Sequence, residues 1–402
     1  MIVTLLFKNL KFRLANTLLS IVLLAFGTGI ISLLLLVEKQ INEKLNNDLE
    51  GIDLVVGAKG SPLQLILSAV YQLDAPTGNI PLAEANKIGK HPLVLSTIPL
   101  AYGDSYAGYR IVGTTENYLK KYNATLAIGT LFTNSFEVVI GSQLASKENL
   151  QVGSTFTSTH GLSKEGGTAH TTQRYKVVGI LKPTNSVIDQ LIITSIESVW
   201  EIHDEHETKE NHQHEEDNHK EEKSITALLV TYRSKMAMML LPRQINENTK
   251  LQAASPIIEI NRLTNLIGLG IKTLQIIAWG IIAISGLSIF ISLYSRLQER
   301  KYELALMRSL GAKKWTLAFI MFGESITLCV IGCLVGFCIS RLGLWFLHNY
   351  SMNNYHMAFN QLFLTKEEYF LFVTTIIVGF AAAIIPSLQT LKISISKTLS
   401  HV

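Results

Sequence analysis

Four long apolar runs constrain this chain more than any other feature. They cover residues 14–37, 273–293, 315–340 and 369–391. Each run reaches the length of about 20 residues that a helix needs to cross a hydrocarbon core about 30 Å thick. Only the third run contains a charged residue, Glu324. The sequence therefore predicts four transmembrane helices.

The composition agrees with a membrane protein, since 48% of the residues are hydrophobic and only 16% are charged. The net charge of +4 is small, and no continuous basic face or aromatic platform favours nucleic-acid binding. All three cysteines lie in the third apolar run, where we expect small buried apolar side chains and no disulfide. These are Cys329, Cys333 and Cys338.

The first apolar run follows Lys8, Lys11 and Arg13, so it also resembles a secretory signal peptide. It is longer than the usual signal core of about 7–15 residues, and no small-residue cleavage pattern follows it. We therefore predict an uncleaved membrane anchor.

The distribution of Lys and Arg predicts the orientation, because short cytoplasmic loops are rich in both. The basic segments are the leader 1–13, the loop 294–314 and the tail 392–402, whereas the opposite loop 341–368 is assigned to the outside. The order is then one span, a large extracytoplasmic domain at 38–272, and three further spans.

The segment 38–272 is long enough for a folded domain, and short β-branched runs alternate in it with helical patterns. We predict a mixed α+β domain with two subdomains. The predicted strands are Ile52–Val56, Tyr109–Val112, Glu137–Ile140, Tyr175–Leu181 and Leu191–Thr194, and the predicted helices are Ile41–Glu50, Pro81–Lys90 and Ser234–Ile245.

Two segments of this domain, one rich in glycine and one apolar, each allow two structural interpretations. The segment Gly57–Pro62 lacks the glycine spacing and the Lys-Ser/Thr end of a phosphate-binding loop, so energy from ATP would have to come from a partner. The run Leu63–Val70 suits either a core helix or a patch on the membrane surface, and its length favours the core.

A histidine-rich loop, predicted to be flexible, covers residues 200–224. Its histidines alternate with carboxylates, and the spacings allow two rings to approach one Zn²⁺, Cu²⁺ or Ni²⁺ ion. The candidate ligands are His203, His206, His212, His214 and His219. The alternative is a solvated loop without a functional metal, because tracts of this kind are compositional signals and not built sites.

The segment Ser295–Leu310 has a helical pattern with two faces. Tyr302, Leu306 and Leu310 form an apolar stripe, and the opposite face is charged, with Arg296, Glu299, Arg300 and Glu303. Gly311 then offers a helix stop. Such a helix can lie along the inner membrane surface and insert into a soluble partner, or it can be an interfacial anchor only.

The sequence from Glu299 to Ala312, ERKYELALMRSLGA, resembles the signature of the FtsX-like permease family. Glu324 is similar to an acidic position of that family, and Pro386 to Leu399 resembles its ending. Val138–Gly153 and Val177–Leu181 are similar to strands of the MacB-type periplasmic domain. The resemblance covers nearly the whole chain and is strongest from Ile271 onward.

The resemblance implies an ABC transporter permease of the FtsX, MacB or lipoprotein-release type in the bacterial inner membrane. It implies a dimer, with itself or with a similar permease, that works with separate ATP-binding subunits and transmits ATP-driven changes to the external domain. Lipoproteins, peptides or a periplasmic partner would be its clients. The chain itself would have no catalytic residues and would not be an enzyme. The residues expected to couple to the ATPase are Glu299, Arg300, Tyr302, Glu303, Leu306, Arg308 and Gly311.

Within the spans, Glu324 suits a proton or ion relay or a structural hydrogen bond, and the structural role is favoured. Gly332 and Gly336 have the spacing of close helix packing, either at a dimer seam or within one subunit.

Two other functions are compatible with the same topology. One is a metal-linked, in particular zinc-linked, transporter subunit or envelope sensor that uses the histidine-rich loop, and the other is a signalling receptor without transport.

Overall fold

The computed structural model describes residues 14–159, 173–202, 223–299, 301–311, 313–354 and 365–391. The chain forms two compact units, one of residues Asn42–Asn265 and one of the residues on either side. They are called the external domain and the membrane unit below. The predicted zinc ligands at 203–219, the coupling residue Arg300 and the tail 392–402 lie outside the described residues.

The helices show two length classes. In chain order they are α1 (Leu14–Leu49), α2 (Pro62–Ala69), α3 (Leu82–Gly89), α4 (Glu116–Lys121), α5 (Ser142–Lys147), α6 (Ala237–Asn248), α7 (Pro256–Glu299), α8 (Lys301–Ser309), α9 (Lys314–Asn354) and α10 (Lys366–Leu391). A further helical stretch covers 196–202. Among the described helices, α1, α7, α9 and α10 are long and apolar enough to cross a membrane.

The four membrane helices contain the four predicted spans, and three of them extend well beyond those spans. Helix α7 has 44 residues, about 66 Å at 1.5 Å per residue, or about twice the thickness of the hydrocarbon core. The helices continue because polar residues also favour helix, whereas hydropathy marks only the part in contact with lipid.

The external domain is built on one continuous ten-stranded sheet. Its strands are β1 (Leu54–Ala58), β3 (Val94–Tyr106), β4 (Tyr109–Gly113), β5 (Leu126–Gly129), β6 (Glu137–Ile140), β7 (Thr155–Phe156), β8 (Tyr175–Leu181), β9 (Ile192–Thr194), β11 (Ala227–Tyr232) and β12 (Leu251–Ala254). A separate pair joins β2 (Ile80–Pro81) to β10 (Ser224–Ile225). The strand order is β12-β1-β11-β3-β4-β9-β6-β8-β5, with β7 also paired to β8.

The long strand β3 joins the two halves of this sheet. Its first part pairs antiparallel with β11, and its second part pairs antiparallel with β4. The pairs β4–β9 and β6–β8 are parallel, whereas the other strand pairs are antiparallel. The result confirms the predicted fold class, four membrane helices in a one-plus-three order with a large α+β domain between the first two.

The three largest apolar clusters among the described residues of the external domain form its core. The largest packs α2 and the end of α1 against the sheet, and its members include Leu65, Ile66 and Tyr118. A second cluster lies under α3 and α6, and a third fills the half that contains β6 and β8. Helix α2 contributes Leu65 and Ile66 to the interior, so the core reading of Leu63–Val70 is confirmed.

The segment Gly57–Pro62 contains the last residues of β1 and the N-cap of α2. Ser61 caps α2 by accepting a hydrogen bond from the backbone N–H of Gln64 at 3.4 Å, and a proline occupies the first turn. A Cβ at Gly57 would lie 2.5 Å from Leu65 Cδ1. Close packing therefore explains that glycine.

Lys121 holds the C-terminal end of α1 within the external domain. Its Nζ donates to the backbone carbonyl oxygen of Asp48 at 2.7 Å and lies 3.4 Å from the centre of the Tyr122 ring. Burial lowers the pKa of Lys121 to about 7, and the nearby carboxylates of Asp48 and Glu50 only partly offset this.

The ends of the histidine-rich tract are held together by residues that flank it. The indole N–H of Trp200 donates to the carbonyl oxygen of Ser224 at 2.7 Å, and the Lys223 ammonium lies 4.6 Å from the centre of the Trp200 ring. Trp200 and Ser224, which flank the candidate histidines, therefore lie side by side in the domain.

Candidate functional site

Helices α1 and α9 pack closely along a line of glycines. A Cβ at Gly332 would lie 2.6 Å from Leu24 Cδ2, and a Cβ at Gly336 would meet Thr28 Oγ1 and lie 2.9 Å from the carbonyl oxygen of Ala25. The pair Gly332 and Gly336 therefore makes a contact within one subunit, which decides between the two readings of this motif.

The other two membrane helices attach to this pair through small residues. Helix α7 meets α1 through a hydrogen bond of 3.0 Å between the hydroxyls of Ser20 and Ser288. Helix α10 meets α9 where the Ser325 hydroxyl donates to the carbonyl oxygen of Gly379 at 2.6 Å. The four helices thus form one bundle with interhelical hydrogen bonds.

Three polar residues meet inside the bundle near the cytoplasmic ends of the helices. The Arg296 guanidinium lies 3.4 Å from Glu324 Oε2 and donates to Thr17 Oγ1 at 2.5 Å. The side chains of Arg296 and Glu324 are only 4% and 2% exposed. We call Thr17, Arg296 and Glu324 the inner cluster, and it connects α7, α9 and α1.

The prediction that Arg296 belongs to the charged face of the cytoplasmic helix is wrong. Helix α7 continues through Arg296 to Glu299, and the side chain points into the bundle. A carboxylate in an apolar bundle needs a cation, and Arg296 supplies it to Glu324. The sequence could have predicted a basic partner for Glu324, because an isolated carboxylate in a span needs one and basic residues cluster at the nearby ends of the spans.

A second polar cluster lies toward the extracytoplasmic ends. Arg341 donates from both terminal nitrogens to the two oxygens of Glu368, each at 2.8 Å. The Ser32 hydroxyl donates to Glu368 at 2.5 Å, and its oxygen lies 2.8 Å from the Ser340 hydroxyl oxygen. We call Ser32, Ser340, Arg341 and Glu368 the outer cluster. It connects α1, α9 and α10.

The sequence assigned Arg341 and Glu368 to an external loop at 341–368. The structure instead places both in helices, with the Glu368 side chain fully buried and the Arg341 side chain 21% exposed. The bidentate pairing satisfies both charges at once, which is why a carboxylate can lie inside the bundle. The hydropathy pattern did not predict that either residue lies in a membrane helix, because each stands at the edge of an apolar run.

The cytoplasmic helix α8 has one buried side and one exposed side. Leu304 and Ala305 are buried, and Leu304 packs into the core of the membrane unit, whereas Tyr302, Leu306 and Leu310 are exposed. The predicted apolar stripe therefore faces away from the described parts of the chain. An exposed apolar stripe of this kind marks an interaction with a protein or with lipid.

The remaining predicted coupling residues lie around α8. Glu299 and Glu303 are exposed, Arg308 is half-buried, and Gly311 has φ +100° just after the helix ends at Ser309. This left-handed conformation suits glycine and ends the helix.

The three cysteines do not share one environment. Cys329 and Cys333 are buried in the bundle, but Cys338 is exposed on α9, so the prediction of a buried side chain is wrong for Cys338. Neighbouring positions of a helix face different sides, and the bundle buries only one side of α9.

Within the described residues, no group of three or more His, Cys, Asp or Glu side chains could hold a metal ion.

Comparison with known families decides what kind of protein carries this bundle and domain. The model of the MacB-like periplasmic core domain matches residues 17–241, more than half of the chain. The model of the FtsX-like permease C-terminal domain matches residues 275–395. The chain belongs to the FtsX/MacB-type family of ABC transporter permeases.

Several solved structures are similar to parts of this FtsX/MacB-type permease. The periplasmic region of MacB from Actinobacillus actinomycetemcomitans is 12% identical, with a TM-score of 0.33, and the match covers 55% of this chain and 98% of that one. The extracellular domain of the noncanonic ABC-type transporter YknZ from Gram-positive bacteria is 13% identical, with a TM-score of 0.30 and coverages of 51% and 99%. A domain of a putative permease protein from Porphyromonas gingivalis is 14% identical, with a TM-score of 0.27 and coverages of 52% and 88%. No curated protein matches the chain.

The match to the periplasmic core domain and the four long apolar helices make the FtsX/MacB-type permease a membrane protein with an extracytoplasmic domain. Permeases of this family work with ABC ATP-binding subunits. Because the external domain lies between α1 and α7 along the chain, α8 lies at the opposite, cytoplasmic ends of the spans. The inner cluster and α8 are therefore on the side where ATP is available.

Proposed function

We propose that this permease transmits ATP-driven conformational change from the cytoplasm to its extracytoplasmic domain, in the bacterial inner membrane and as a homodimer. A separate ATP-binding subunit supplies the energy and docks on α8. The clients are lipoproteins, peptides or another envelope component, which the external domain moves or acts on outside the bilayer.

The exposed stripe of α8 is the observation that carries this proposal. Helix α8 packs through the buried Leu304 and the half-buried Met307, which leaves Tyr302 and Leu306 uncovered on the cytoplasmic side. Insertion of a short amphipathic helix into an apolar groove is a common mode of protein recognition, and the anchors are spaced three or four residues apart. The spacing from Tyr302 to Leu306 fits that mode.

Charged residues around the stripe support docking to a protein more than simple membrane anchoring. Glu299 and Glu303 stand among Lys301, Arg308 and Lys313, whereas helices that only lie on anionic lipid are rich in Lys and Arg on the polar face. Mixed charges at the rim of an apolar contact favour one partner and one orientation.

The first test is co-purification of the full chain from its native membranes through a carboxyl-terminal tag. A Walker-motif subunit should be recovered in equal amount with ATPase activity in the same eluate. Substitution of both Tyr302 and Leu306 by alanine should lower its recovery at least tenfold, because hot-spot side chains contribute about 2 kcal/mol or more each.

A matched control uses the same residue types at the other end of the bundle. Tyr350 and Leu342 are exposed on α9, and their double alanine variant should retain the ATPase. Replacement of Glu299 and Arg300 should also lower ATPase recovery. Recovery of the chain without any ATPase, or equal recovery with both double variants, would contradict the proposal.

The metal-linked function stays a prediction of the sequence, because its five histidines lie outside the described residues. Deletion of residues 203–219 should change growth under zinc limitation or zinc excess if that function exists. Identical growth in all zinc conditions would remove it.

A further inference from the structure

The inner cluster lies where α7 ends and the cytoplasmic helix begins. Arg296 is in the last turn of α7, which ends at Glu299, and α8 starts at Lys301. A displacement of α8 therefore reaches Arg296 within about one helical turn. Among the described residues between α8 and Arg296, Arg296 is the first buried polar side chain.

The inner cluster also connects three helices at one point. Arg296 on α7 contacts Glu324 on α9 and Thr17 on α1. Helices α1 and α7 both continue along the chain into the external domain. Movement of Arg296 would thus act on both of the closely packed helices α1 and α9.

The two polar clusters differ in how tightly they are made. The outer pair has two hydrogen bonds of 2.8 Å. The inner ion pair has a longer separation of 3.4 Å, and Arg296 Nε is buried without a hydrogen-bond partner among the described residues. Bidentate pairs are the stronger and more rigid kind. The Arg296–Glu324 pair therefore rearranges more easily than the Arg341–Glu368 pair.

We propose that Thr17, Arg296 and Glu324 are positioning residues that transmit a displacement of α8 to α1 and α9. The proposal rests on the proposed function, since the displacement comes from the ATP-binding subunit. The ion pair does not take part in ATP hydrolysis and does not touch the client. Its role is to keep α7 engaged with the α1–α9 pair while the bundle changes shape.

The test uses the complete complex in lipid nanodiscs. An environment-sensitive fluorophore is attached to a cysteine introduced at Ile128, an exposed position of the external domain, in a chain whose Cys338 is replaced by serine. ATPase activity and the ATP-dependent change in emission are measured on the same sample, so that hydrolysis and transmission are separated.

Glu324→Gln removes the charge while retaining the shape. It should leave ATPase recovery and hydrolysis intact but reduce the ATP-dependent emission change about fivefold or more, which is the range of a typical coupling between sites. Thr17→Val keeps the ion pair and should cause a smaller reduction. Exchange of the two charges in Arg296→Glu with Glu324→Arg should restore most of the change.

Ser325→Ala is the matched control, because Ser325 is the buried neighbour of Glu324 but bonds to α10 and not to α7. It should retain the wild-type emission change. An unchanged response in Glu324→Gln, or an equal loss in Ser325→Ala, would overturn the positioning role while leaving the proposed function standing. A wild-type complex without any ATP-dependent response would instead overturn both.

Discussion

The outer cluster gives the sharpest stability prediction. Glu368 accepts two hydrogen bonds from Arg341, one from Ser32 and one each from the backbone N–H and the hydroxyl of Thr365. Glu368→Ala removes all five acceptor contacts and leaves the guanidinium without its counter-charge. We expect the bundle to lose stability while the external domain keeps its fold.

The size of the effect follows from burial. Removal of one partner of a buried ion pair costs about 3–5 kcal/mol, and the 21% exposure of the Arg341 side chain places this case near the lower end, about 3 kcal/mol. On the scale of soluble domains of 150–250 residues, that corresponds to a fall in Tm of about 6–12 °C. The double variant Arg341→Met with Glu368→Met should recover to within about 1 kcal/mol of the wild type, because it leaves no buried charge.

A thiol-reactive fluorogenic dye can report this unfolding, since Cys329 and Cys333 are buried in the bundle. Cys338 is exposed and is replaced by serine in all samples, so that the signal comes only from the two buried thiols. A single variant that melts at the wild-type temperature would refute the reasoning. A double variant that loses as much stability as the single variant, or more, would refute it equally.

Three smaller predictions test other parts of the structure. Gly336→Ala should lower the stability of the bundle by about 1–3 kcal/mol in the same dye assay, because its Cβ would meet Thr28, whereas Gly280→Ala, which points into open space, should not. Gly311→Ala should reduce ATPase recovery after purification, since φ +100° is strained for any residue with a Cβ. Because burial lowers the pKa of Lys121 to about 7, the folded chain releases this proton at a lower pH than the unfolded chain. The free energy of unfolding of the external domain should therefore rise between about pH 7 and pH 10, and Lys121→Met should flatten that rise in pH-dependent proteolysis.

Much of the fold could be predicted because its strongest signals are local. The strands Glu137–Ile140 and Tyr175–Leu181 have the same bounds in the prediction and in the structure. Both are short β-branched runs between turn residues. The four spans were equally clear, since a run of about 20 apolar residues has few alternatives.

The predictions that failed depended on tertiary contacts. Arg296 looked like a surface residue in the helical pattern, and only the position of Glu324 on a neighbouring helix explains its burial. Arg341 and Glu368 were assigned to a loop for the same reason. A sequence pattern shows which residues share a face of one helix, but not which other helix covers that face.

Cross-linking from α8 tests the central claim of docking most directly. A photoreactive phenylalanine analogue at Tyr302 should, in intact cells, form one major cross-linked product that contains a Walker-motif polypeptide. The same analogue at Trp345, which is exposed on α9 at the other end of the bundle, should not form that product. Absence of the product from Tyr302, or its formation from both positions, would contradict the docking of an ATP-binding subunit on this helix.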